Sequence, residues 1–180
     1  MIYFDSHLDT WDPEVLGGGI SRYAGVNHGT FLHVAYEEGL LLDSLVHAGI
    51  SALMVRLKGD LGNDKRCGFE IVRVRDVDRV GVEEVIKRLR ERVGDFRAYL
   101  SVDIDVLDPV YTPATGTAEF GGWTTRELLS ILNGLEGLKI INVDVVEVAP
   151  IYDNPGETIK LVVTKVVRSL ITLMVDTPVK

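Results

Sequence analysis

Apolar runs and one-sided amphipathic stretches alternate along this chain. Ile2-Tyr3-Phe4 is a short apolar strand that stops at Asp5, and Thr10 to Thr30, with Gly17-Gly18-Gly19, reads as a loop. From Phe31 to Ala48 the spacing predicts a helix broken near Gly39, followed by a buried strand over Ile50 to Leu57 and a polar loop over Lys58 to Gly68. Phe69 to Val74 alternates as a strand. Val82, Val85, Ile86, Leu89 and Val93 mark one apolar face of a helix closed by Gly94. A further strand begins at Phe96 and ends in Asp103, Asp105 and Asp108. Thr124 and Glu127 form a capping-box pattern that opens a helix through about Leu132. Ile140 to Val146 is a sixth apolar run, and Ile159, Val162, Val163, Val166 and Leu170 make a last helix. Strands alternating with helices predict an α/β fold, a three-layer α-β-α arrangement around a mainly parallel sheet, with residues 1–180 in a single domain.

Composition narrows the partners more than the fold. With 27 acidic against 19 basic residues the net charge is −8, and no Lys/Arg block interleaves with aromatics, which argues against nucleic acid or an anionic membrane surface. Cys67 is the only cysteine, so neither an internal disulfide nor a thiolate metal cluster is expected. No run is long enough to span a membrane, and Asp5 and Asp9 lie where a secretory leader is apolar. A cytoplasmic protein is the resulting expectation.

Chemistry collects where the strands end. In a parallel sheet ligands gather at the carboxyl ends of strands, and three such ends here carry Asp5/His7/Asp9, Asp103/Asp105 and Asp144/Glu147. Asp103 and Asp105, two apart on one strand face, require a cation. Asp5, His7, Asp9, Asp103 and Asp105 together offer four carboxylates and one imidazole without sulfur, a set that suits Mn, Mg or Zn, favours Mn, and is large enough for two metals. Asp108 and Asp144 read as loop-fixing acids that bond backbone, His33 and His47 as helix residues that pack or face solvent, and Trp11 as a packing residue close enough to line a channel. Glu147 has an alternative reading as a buried salt-bridge partner, and His28 as an ordinary loop histidine.

Three motifs in order, Asp5-x-His7-x-Asp9, then Ser101-x-Asp103-x-Asp105-x-x-Asp108-Pro109 with Pro113-Ala114-Thr115-Gly116-Thr117 and Gly121-Gly122, then Asp144-Val145-Val146-Glu147-Val148, resemble the ureohydrolases. These are the arginase and agmatinase family of binuclear manganese enzymes, and the stretches FDSHLDTWDP, CGFE, LSVDIDVLDP and GGWTTREL look most like agmatinases. The resemblance implies an arginase-like fold in which Asp5 and Asp103 bridge two Mn2+ ions, His7 and Asp105 complete one site, and Asp9 serves the other. It implies that His28 relays a proton to the leaving amine, that Glu147 holds the substrate guanidinium, and that Thr117 lies beside it. A metal-bridging hydroxide would attack the guanidinium carbon of a small guanidino substrate, giving urea and an amine, putrescine if the substrate is agmatine. It also implies a homo-oligomer, a trimer or hexamer.

The family has a further metal ligand, a histidine in a Gly-Gly-Asp-His motif, which this sequence does not contain. The chain therefore resembles the carboxyl-terminal portion of a ureohydrolase. Unequal affinities for the two metals follow, as does an apolar edge at the strand over Ile140 to Val146. The alternative is a catalytically impaired ureohydrolase that binds metal and acts as an interaction protein. A deacetylase-like amidohydrolase would need paired catalytic histidines, which are not found.

Overall fold

Five strands form one sheet in the computed structural model, which describes residues 1–179. They are β1 (Ile2–Phe4), β2 (Leu45–Ile50), β3 (Phe69–Arg73), β4 (Ala98–Asp103) and β5 (Ile140–Val146), in the spatial order β3-β2-β1-β4-β5 with every neighbouring pair parallel. The helices are α1 (Pro13–Leu16), α2 (Phe31–Glu37), α3 (Leu57–Arg66), α4 (Asp76–Val93), α5 (Thr125–Asn133) and α6 (Thr158–Asp176). No described helix is long and apolar enough to cross a membrane.

The central strand is the shortest, and its three residues are all buried. Alternation along it sorts the layers. Ile2 and Phe4 join a large core with Val85 and Leu89 of α4, Leu128 and Ile131 of α5, and Val166 and Leu170 of α6. Tyr3 points to the other face and packs with Leu32 of α2, Leu45, Cys67 and Phe69. The predicted three layers are therefore present, with helices on both faces of a parallel sheet.

The expected boundaries hold closely for β1, β5 and α5, whose capping box is complete: Thr124 Oγ1 accepts from the Glu127 N–H while the Glu127 carboxylate accepts from the Thr124 N–H. Two segments differ. The helix expected to run to Ala48 stops at Glu37, and a strand occupies Leu45–Ile50, so His47 lies on a strand rather than a helix. The polar loop expected over residues 58–68 is instead α3, and residues 51–56, expected within a strand over Ile50 to Leu57, form the connection from β2 to that helix.

Both differences come from polar groups placed inside. The apolar run of β2 is interrupted by His47 and Gly49, yet every residue of that strand is buried. Helix α3 buries Asp60 and Asp64 rather than an apolar stripe, so its pattern carries no helical period. Smaller shifts affect β4, which starts at Ala98 beyond an exposed Phe96, and Asp105, which lies on a 3-10 turn over Ile104–Val106.

Strand β5 forms an edge. Ile141 is 50% exposed and Val146 36% exposed, and the strand contains neither lysine nor proline to discourage pairing. The expected apolar edge is therefore present.

Candidate metal centre

Strands β1 and β4 are neighbours, and each ends in the same local device. The Asp5 Oδ1 accepts from the His7 N–H at 2.6 Å, and the Asp103 Oδ1 accepts from the Asp105 N–H at 2.9 Å. Each aspartate thus bonds the backbone two residues on and turns the chain out of the sheet. Side by side, the two turns bring Asp5, His7 and Asp105 together, with one ligand-type atom from each within 4.8 Å of the others. His7 Nδ1 lies 3.1 Å from Asp105 Oδ2 and 3.3 Å from Asp5 Oδ1. Asp9 and Asp103 stand outside that tight triplet but line a cavity of about 170 Å³ with Asp5, His7, Trp11, His28, Thr117 and Glu147, with Asp105 buried behind it. A second opening of about 480 Å³ shares Asp9, His28, Asp103 and Glu147 and extends along Phe31, Leu41 and Tyr99. All eight residues singled out from the sequence thus converge on one place.

Of the supports of this cluster, Ser6 is buried and Thr117 exposed. Asp105 Oδ1 accepts from the Ser6 hydroxyl at 2.7 Å and its backbone N–H at 3.2 Å, while Oδ2 accepts from the Thr117 hydroxyl at 2.9 Å. Thr117 is thereby tied to a cluster carboxylate. The second nitrogen of His7, Nε2, faces the Glu119 carboxylate at 3.6 Å, which leaves Nδ1 turned toward Asp5 and Asp105. Neither Ser6 nor Glu119 stands out in the sequence, although Glu119 is only two residues beyond Thr117 in the same loop. Asp108 holds that loop, accepting from the N–H groups of Val110 and Gly121 at 3.0 and 2.8 Å. Gly122 lets it return: a Cβ there would fall 2.6 Å from the Asp108 nitrogen. Asp144 departs from the expected backbone role, since it accepts from the Ser101 hydroxyl at 2.6 Å and from the Tyr99 phenol.

His28 is exposed at the cavity rim on a loop that its neighbours fix. The Asn27 side chain accepts from the Gly29 N–H at 3.0 Å and donates to the Ala24 carbonyl at 3.1 Å, and the Trp11 N–H donates to the Gly29 carbonyl at 3.0 Å. A Cβ on Gly29 would meet Leu16 Cδ2 at 2.5 Å and Trp11 Cε3 at 2.8 Å. Gly29→Ala is accordingly expected to push the His28 loop off Trp11 and to cost about 1–3 kcal/mol by overpacking, read as a lower thermal midpoint. Glu147 follows β5 with a left-handed φ of 57°, is exposed, and makes no ion pair among the described residues, so the buried salt-bridge reading does not hold.

The electrostatics are those of a site short of positive charge. Burial, reinforced by the neighbouring acids, pushes Asp5 and Asp9 up to about 7 and Asp103 up to about 10. Burial also opposes the charge on His7, but hydrogen bonds to Asp105 and Asp5 outweigh it and raise the imidazole to about 11. Asp105 goes the other way: despite burial, the bonds from His7, Ser6 and Thr117 hold it below its ordinary value. Asp5 Oδ2 is buried with no hydrogen-bond partner. A divalent cation would meet that oxygen and neutralise the crowded acids, and the oxygen-rich donor set with one imidazole fits manganese.

A pH dependence follows. For Asp5, Asp9 and Asp103 the folded-state pKa lies above the unfolded value of about 4, so the unfolded chain gives up these protons first and stability falls as pH rises. The raised His7 acts in the same direction above about pH 6.5, and the lowered Asp105 matters only below about pH 4. The thermal midpoint of the metal-free chain is expected to fall between about pH 5 and about pH 8, and added Mn2+ to reverse that trend, because metal binds the deprotonated carboxylates. Thermal scans across that range with and without Mn2+ read both signs.

Comparison with known proteins agrees with this geometry. A sequence profile of the Arginase family matches residues 1–172. A Schizosaccharomyces pombe protein named putative agmatinase 1 is 52% identical over 180 residues, covering 99% of this chain and 45% of its own length. The guanidinopropionase of Pseudomonas aeruginosa is 39% identical over 163 residues, covering 88% of this chain and 48% of its own length. The crystal structure of a hypothetical agmatinase from Burkholderia thailandensis superposes with a TM-score of 0.79 at 34% identity, over 96% of this chain and 50% of that one. The chain spans about half the length of these relatives.

Proposed function

The chain belongs to the arginase family, and on that footing we propose that it is an agmatinase-like ureohydrolase. It hydrolyses the guanidinium group of a small substrate, agmatine first among candidates, to urea and an amine, which from agmatine is putrescine. The observation that carries this reading is the convergence of Asp5, His7 and Asp105, with Asp9 and Asp103, on a cavity whose rim holds Glu147 and His28.

Two manganese ions are the proposed cofactor, and Asp5, His7, Asp9, Asp103 and Asp105 are the residues that would hold them. When bound, manganese supplies Lewis acidity and brings the pKa of water from roughly 16 toward about 7.

The chain's own groups do the rest. Glu147 presents two oxygens to the planar guanidinium, whose parallel N–H groups match a carboxylate in bidentate fashion. That contact fixes the substrate carbon relative to the buried acids. His28, on its fixed loop, passes a proton to the nitrogen that departs as the C–N bond breaks. Ser6 and Thr117 hold Asp105, and Glu119 keeps His7 turned so that Nδ1 faces the acids. Trp11 Nε1, buried without a hydrogen-bond partner, is a spare donor beside the same cavity.

Urea release from agmatine by the full chain in added Mn2+, measured with the metal content per chain, tests the proposal. Guanidinopropionate and other guanidino compounds extend the assay to different amine tails. Two bound manganese ions with no turnover on any guanidino compound would sink it. Assembly of like copies is part of the same proposal and is read from the native mass.

A further inference from the structure

Among the five acidic and imidazole groups of the centre, Asp9 is held differently from the rest. Its backbone has a left-handed φ of 52°, unlike Asp5 and Asp103, which sit at strand ends. Among the described residues no backbone N–H fixes its carboxylate; instead Oδ2 accepts from the Tyr3 phenol at 2.9 Å in a buried contact. Tyr3 lies on β1 and is 3% exposed. Its ring stands edge-on to His47, with centroids 5.7 Å apart at 71°, and edge-on to Phe31 at 6.1 Å and 68°.

The surroundings of that phenol are built rather than incidental. His47 is fully buried, stacks on Phe69 at 3.9 Å and 13°, and has Nε2 2.9 Å from Asp64 Oδ1. The same Asp64 oxygen accepts from the Thr10 hydroxyl at 2.8 Å, and the Asn63 side chain donates to the Thr10 carbonyl. The Leu32 N–H donates to the Asp9 carbonyl at 3.2 Å. So the peptide around Asp9 is gripped by α2 and α3, and its side chain by β1. The two polar residues that broke the apolar pattern, His47 in β2 and Asp64 in α3, meet directly beneath this grip.

We propose that Tyr3 is the positioning residue of the Asp9 carboxylate, orienting it toward the manganese centre, with the His47–Asp64 pair as its footing. The inference rests on the manganese centre proposed above. The phenol occupies Oδ2 and locks the side chain, which leaves Oδ1 as the free donor. Partners of ligating carboxylates typically change metal affinity by 10–100-fold when removed. A tyrosine that merely satisfied a buried acid would affect folding and not one metal in particular.

The test is Mn2+ titration of the full chain, by calorimetry and by the loss of free-ion electron paramagnetic resonance, for the wild type, Asp9→Asn and Tyr3→Phe. Asp9→Asn identifies the class of sites that depends on Asp9. Phenylalanine keeps the ring and its packing, so the thermal midpoint of the metal-free Tyr3→Phe chain is expected to remain within a few degrees of wild type. The expected result is a loss of about ten-fold in manganese affinity for the Asp9-dependent class, with the other class within two-fold of wild type. Unchanged affinities in Tyr3→Phe, or an equal loss in both classes, would overturn the inference and leave the metal centre standing. A wild type with manganese sites but none weakened by Asp9→Asn would overturn it as well. A wild type that binds no manganese would instead bring down the metal centre, and this inference with it.

Discussion

Asp103→Asn is expected to abolish manganese binding and, in the metal-free chain, to raise the thermal midpoint. Both effects have one origin. Asp103 is 3% exposed, and burial together with Asp5 and Asp105 pushes its carboxyl up to about 10. At neutral pH the folded chain must keep there a proton that the unfolded chain would release, which costs stability. Asparagine retains an Oδ1 that can accept from the Asp105 N–H, so the turn at the end of β4 survives. What it removes is the charge that Asp103 would contribute as a proposed metal ligand. Relief on the order of 1–2 kcal/mol corresponds to a rise of about 2–8 °C for a chain of this size. Thermal scans without metal and manganese content per chain measure the two halves. Full metal content would refute the metal-ligand assignment, and a lowered midpoint would refute the electrostatic account of the apo site.

Glu147→Ala is expected to lower urea release about 100-fold or more while leaving manganese content unchanged. Loss of a charge-assisted bidentate contact costs about 3 kcal/mol, and each 1.36 kcal/mol is ten-fold in rate. Glu147 is exposed and makes no ion pair among the described residues, so the fold does not depend on its carboxylate. Alanine inherits the same left-handed backbone at φ 57°, which keeps the strain of that turn nearly constant. Urea kinetics with a metal assay on the same samples decide the matter. Turnover within three-fold of wild type would place the guanidinium elsewhere, and a parallel loss of metal would make Glu147 part of the centre itself.

Much of this molecule is legible in its sequence, for a physical reason. Buried strands that end in carboxylates are energetically conspicuous, because no apolar core holds such groups unpaired. That is why Asp5, Asp103 and Asp105 stood out, and why their partners could be sought at neighbouring strand ends. The capping box at Thr124 and Glu127 and the apolar run over Ile140–Val146 are local signals that tertiary structure left intact. What could not be read was polar and buried. His47 and Asp64, 17 residues apart in the chain, come within 2.9 Å across two elements, and neither residue shows a partner along the chain. Their burial hid β2 inside an expected helix and α3 inside an expected loop. The roles of Ser6, Glu119 and Tyr3 are hidden in the sequence for a related reason: each donates to or turns another residue of the site, and such a role is visible only in three dimensions.

Strand β5 carries two things at once. Along its length it offers unpaired backbone, and at its end it launches the left-handed turn on which Glu147 stands. Whatever lays a strand against that edge also stiffens the base of this turn. On the proposed function, occupying the edge and gripping the substrate's cation are parts of a single equilibrium, and the expected specific activity becomes a quantity to be read against the chain's concentration.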